Sequence, residues 1–141
     1  MARSTARAAA MQLIYEHILG GDGGEATLEM IYENLANGTS EAPSKDDQAY
    51  ISSVLEGVLD KLADIDEKIR RFSKDWPLER MARVDLTILR LAIYELMFRK
   101  DIPGNVAVSE AVELANHYSD PASSRFINGV LGAVLRSLNE A

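Results

Sequence analysis

Apolar residues recur along this chain at every third or fourth position and nowhere alternate for long, so the pattern predicts helices and no strands. The first helix runs from about Arg3 to Leu19, with Ala6, Ala10, Leu13, Ile14 and Leu19 near one face, and ends at Gly20-Gly21. A second places Leu28, Ile31, Tyr32 and Leu35 at helical spacing and stops at Asn37-Gly38. After a loop, Ser44-Lys45-Asp46-Asp47 reads as a capping box with Asp47 in the place of Glu or Gln. The third helix then carries Tyr50, Ile51, Val54, Leu55, Val58, Leu59 and Leu62 as an unbroken stripe. Asp64-Ile65-Asp66-Glu67 reads as the cap of a short fourth helix burying Ile65, Ile69 and Phe72.

Pro77 pushes Trp76 out of the helical region, which makes "SKDWPLERM" a connection, with a short turn of its own over Leu78 to Met81. The fifth helix, about Val84 to Arg99, is apolar almost all round and is expected to be central. The sixth, about Val106 to Tyr118, carries small residues that allow close helix contact. Asp120-Pro121 caps a seventh, which holds Phe126, Ile127, Val130, Leu131, Val134, Leu135 and Leu138. The expected fold is all-α, a bundle of about seven helices.

With 141 residues, 47% apolar and 26% charged, the composition is that of one soluble globular domain. The chain has no cysteine, which excludes disulfides and thiol chemistry. No apolar run approaches the roughly 18 residues of a membrane span, and no leader pattern stands at the start, so the expected location is the cytoplasm. The net charge of -7 is unevenly spread. Residues 1–15 carry +2, 16–67 carry -11, 68–100 carry +5 and the remainder -3. Such a distribution suits one acidic and one basic face with separate partners, and equally suits solvated surfaces.

Catalytic patterns are missing: no glycine-rich phosphate loop, serine elbow or HExxH occurs. His17 and His117 stand near helix ends, where solvated histidines are common. Asp64, Asp66 and Glu67 could suggest a metal, but a capping box accounts for two of them. Glu95 lies within the most apolar helix, so its burial requires a partner, and a structural bond to a helix N-terminus or an arginine is the expected one. Neither an enzyme nor a bound cofactor or metal is expected.

Three stretches carry a resemblance. "ARAAAMQLIYE", "VDLTILRLAIYEL" with "DIPGNVAVSEAVELA", and "SSRFINGVLGAVL" are similar, in that order, to the NusB family of bacterial transcription antitermination factors. The resemblance covers nearly the whole chain and weakens only around residues 37–45. It implies two helical subdomains, about 1–75 and 76–141, dividing near Trp76-Pro77. It also implies an RNA-binding adaptor: family members pair with NusE, also a ribosomal protein of the small subunit. The pair binds boxA RNA in nascent ribosomal transcripts and helps RNA polymerase resist termination. Some family members form homodimers that hide the RNA surface.

Carried onto this sequence, the resemblance assigns RNA contacts to Arg3 and Arg7 of the first helix and to Arg125, Phe126 and Asn128 of the last. It assigns the NusE surface to Tyr15, Glu79 and Asp85. Arg3 and Arg7 stand four apart, where they could bridge neighbouring phosphates. Phe126 could stack on an unpaired base or belong to the core, and Tyr15 could meet NusE or cap its own helix. Relatives often begin with a denser arginine cluster, whereas Ser4 and Thr5 intervene here. Weak RNA binding alone and stronger binding with NusE are therefore expected. Two other readings stay open: a NusB-like accessory domain of an RNA cytosine methyltransferase, or a protein–protein adaptor without RNA binding.

Overall fold

The computed structural model describes residues 3–18, 44–74 and 76–140. The helix expected over Leu28 to Leu35, the Gly20-Gly21 terminator and the loop before Ser44 lie outside them. The described residues form six α-helices and one 3-10 turn, with no strand. They are α1 (Arg3–Ile18), α2 (Lys45–Asp60), α3 (Leu62–Ser73), the turn Leu78–Arg80, α4 (Arg83–Phe98), α5 (Gly104–Tyr118) and α6 (Pro121–Glu140). The chain divides into two compact units, Met1–Leu59 and Asp60–Ala141.

In the first unit, α1 buries Ala6, Ala9, Ala10, Leu13 and Ile14, a face of small residues widening toward its C-terminal half. From α2, Tyr50, Ile51, Val54 and Val58 are buried. The start of α2 is fixed by a reciprocal cap. The Asp47 backbone N–H donates to Ser44 Oγ at 3.0 Å, and the Ser44 backbone N–H donates to Asp47 Oδ2 at 3.0 Å. This bond holds the Asp47 carboxyl below its ordinary pKa, the Ser44 backbone N–H being the main cause. The capping box read from the sequence is therefore present, with aspartate doing the work of the usual glutamate.

The second unit is built around α4, which packs on α3, α5 and α6 and buries Ile88, Leu89, Leu91, Ala92, Ile93 and Leu96. Its near-continuous apolar surface suits a helix with neighbours on several sides. Ala107, Ala111 and Ala115 are the small buried residues of α5. Gly104 opens that helix against α6: a Cβ added there would stand 2.5 Å from Leu135 Cδ1. At the head of α6, the Ser123 backbone N–H donates to Asp120 Oδ1 at 2.8 Å, with Pro121 in the first helical position.

The start of α3 departs from the expectation. The helix begins at Leu62, one residue after a turn at Lys61, and its N-cap makes no side-chain hydrogen bond. Asp64 lies inside the first turn, and Asp66 is committed elsewhere. Arg90 of α4 donates from Nε to Asp66 Oδ1 at 2.9 Å and from Nη2 to Oδ2 at 3.0 Å. The two side chains are only 12% and 13% exposed, so the fork is largely shielded from water. This pair and the packing of α3 on α4 and α6 place α3 in the second unit. The boundary accordingly falls at Leu59 and Asp60, ahead of Trp76-Pro77. The latter pair is a connection: Pro77 is extended, Ser73 Oγ donates to the Trp76 carbonyl at 3.0 Å, and the 3-10 turn follows.

Candidate nucleic-acid and partner interface

In the first unit the two arginines of α1 do approach the same place, and that place is an aromatic ring. The Arg3 guanidinium carbon lies 4.3 Å from the centroid of the Tyr50 ring, and that of Arg7 lies 5.8 Å away. Arg3 is exposed, whereas Arg7 is only 3% exposed. The four-residue spacing therefore does put both on one face, but the face turns inward toward α2 as it leaves the first turn. Burial withdraws Arg7 from a phosphate-bridging pair and leaves Arg3 as the accessible cation. Tyr15 is half-buried farther along the helix.

In the second unit, Arg125 and Asn128 are exposed and stand three residues apart on α6, while Phe126 is half-buried. Gly129 adjoins them: a Cβ there would meet nothing within 4 Å. Asn128 also borders an open groove of about 410 Å³ between α5 and α6, floored by Val108, Val112 and Leu135, with Asn105, Ser109 and Glu113 along it. A polar, small-residue helix face of this kind can admit a partner's backbone closely and hydrogen-bond to it.

The residues expected to face NusE separate sharply. Glu79 is exposed on the 3-10 turn. Asp85 is 7% exposed and is occupied from within: Ser119 Oγ donates to Oδ1 at 2.8 Å and Ser123 Oγ donates to Oδ2 at 2.7 Å. Asp85 thus ties the start of α4 to the junction between α5 and α6, and its carboxylate is a strut of the unit. Trp76, 48% exposed, stands three residues before Glu79 in the chain and adds an apolar surface that the sequence reading left unassigned. Glu95 is buried on α4, 2% exposed. His17 and His117 are exposed.

Tyr50 and the Asp66–Arg90 pair were not singled out in the sequence. An aromatic at an apolar-stripe position carries no signal that a cation will stack on it. Arg90 did carry one, because an arginine in the middle of so apolar a helix needs an acid.

Comparison with known proteins follows the same lines. The NusB family profile matches residues 4–136. The chain belongs to the NusB family. A transcription antitermination protein NusB from Acetivibrio thermocellus is 43% identical over 136 residues, covering 96% of this chain and 90% of that protein. The NusB of T. maritima superposes with a TM-score of 0.82 at 32% identity, covering 96% of this chain and 92% of that one. A NusB crystallised with NusE and double-stranded RNA superposes with a TM-score of 0.80 at 25% identity, with 96% of each chain covered. Among the described residues, no helix is long and apolar enough to cross a membrane.

Proposed function

We propose that this chain is a cytoplasmic RNA-binding adaptor of transcription antitermination. In this reading it works by binding, without catalysis, and joins NusE on boxA-type single-stranded RNA so that RNA polymerase resists termination. The observation that carries the reading is family membership over nearly the whole chain, together with the likeness to a NusB held in a complex with NusE and RNA.

Arg3 supplies phosphate contact from α1, and Arg125 and Asn128 supply it from α6, with Phe126 offering a ring edge to an unstacked base. Glu79 offers NusE a negative charge and Tyr15 a ring; charge complementarity of this kind sets orientation and on-rate. With Arg7 buried, fewer cations meet the RNA than the sequence alone counts. Each phosphate neutralised on a single strand adds about -0.7 to the salt slope, so a shallow slope is expected.

The test is a gel shift with a boxA-containing RNA, with and without NusE, at two salt concentrations. Weak binding alone, tightened by NusE and loosened modestly by salt, is the expected result. No shift under any condition would leave a protein–protein adaptor, the reading that the burial of Arg7 favours.

A further inference from the structure

We infer that Tyr50 is a positioning residue for RNA binding, acting through Arg3; this rests on the RNA-binding reading above. A guanidinium stacks by its flat face, while its N–H bonds lie in the plane. The Arg3 carbon lies 4.3 Å from the Tyr50 centroid, a distance at which a parallel stack covers one face of the guanidinium and leaves its edge donors for a phosphate. Arg3 itself is exposed and stands in the first turn of α1, where a long side chain has many rotamers to lose on binding. Tyr50 is 3% exposed and held by the buried stripe of α2, so it is a fixed platform.

Arg7, buried, has its guanidinium carbon 5.8 Å from the same centroid, so the ring has a cation from each of the first two turns of α1 near it. Stacking therefore narrows the orientations of the Arg3 fork before RNA arrives. Preorganisation of this kind raises affinity without adding a contact to the ligand.

Replacing Tyr50 by Phe keeps the ring and its negative face. Replacing it by pentafluorophenylalanine keeps size and apolarity and reverses the ring quadrupole, so the fold is retained while the attraction is lost. Affinity for a boxA RNA with NusE present would be measured for both variants, each with Arg3 intact and with Arg3→Ala, over a range of salt. Arg3→Ala is expected to weaken binding about tenfold and to reduce the salt slope by about 0.7. The fluorinated ring should weaken binding about three- to fivefold with Arg3 present and leave it unchanged with Arg3→Ala, while Tyr50→Phe matches the natural protein throughout.

Equal losses in both backgrounds would assign Tyr50 to the fold alone and overturn the inference. Binding by the natural protein that is indifferent to Arg3→Ala would overturn it also, leaving RNA binding itself intact. No binding by the natural protein, with or without NusE, would overturn the underlying reading and the inference with it.

Discussion

The two compact units dispose of interior charge in different ways. The first lays Arg7 against an aromatic ring and ties Asp47 into a helix cap. The second pairs Arg90 with Asp66 and encloses Asp85 between two serine hydroxyls. Cation on ring and acid on backbone are modest interactions; a shielded two-bond fork between opposite charges is stronger and far costlier to break. The difference teaches which charges are free for partners. The family resemblance assigns Arg7 and Asp85 to binding surfaces, yet each is buried within its own unit. Arg3, Glu79 and Arg125 are the site candidates whose charge reaches solvent.

The contrast breaks most severely at the second unit's fork. Arg90→Ala leaves the Asp66 carboxylate shielded and unpaired, and should cost about 3 kcal/mol in urea unfolding. Replacing both partners with Arg90→Met and Asp66→Leu should recover most of that loss, because no charge is then stranded. A single substitution that costs no more than an ordinary surface change would show that the pair is solvated and the contrast false. Asp85→Ala should come next, at about 2 kcal/mol, since it strands the hydroxyls of Ser119 and Ser123. Its effect on NusE binding should disappear once measurements are made well below the melting transition. Glu79→Ala should do the reverse, weakening NusE binding several-fold with stability unchanged, which stopped-flow association rates would resolve.

What could be read in advance follows the range of each interaction. The caps at Ser44–Asp47 and Asp120–Pro121 act within four residues, so local chemistry was sufficient to find them. The centrality of α4 was legible because a helix apolar all round has few other places to go. The start of α3 was misjudged for the opposite reason: Asp66 resembles a cap locally, but its partner is Arg90, on another helix. Arg7 shows the same limit in the candidate site. Helical spacing correctly joined it to Arg3, but spacing cannot say which side α2 will occupy. Asp85 was assigned to a surface because its two serine donors come from the far end of α5 and the head of α6.

In the first unit the expected losses are smaller and one depends on pH. Ser44→Ala removes the acceptor for the Asp47 N–H and should cost about 1 kcal/mol. Asp47→Ala should cost a similar amount near neutral pH. Because folding lowers the Asp47 pKa, its stabilisation is fully present above the unfolded value of about 3.8. It is lost as pH falls through the lower folded value. Thermal melts of the natural protein and Asp47→Ala should therefore differ by a constant amount from pH 7 to pH 5. The curves should converge only in stronger acid. Convergence already at pH 5 would contradict a carboxylate held by the Ser44 N–H.

The smallest expected change in stability has the opposite sign and bears on the exposed face of α6. Gly129 sits inside a 20-residue helix, where glycine is less stable than alanine by about 0.5–1 kcal/mol. Among the described residues nothing requires it, since an added Cβ would meet no atom within 4 Å. Gly129→Ala should therefore raise the unfolding midpoint in urea by that modest amount. If α6 receives RNA beside Asn128, the added methyl stands in the path of the approaching backbone, and affinity for the boxA RNA should fall several-fold while stability rises. A gain in both would mean that RNA does not come close to this face. The interface would then have to be sought from Arg3 and the first unit, where charge is held on an aromatic platform.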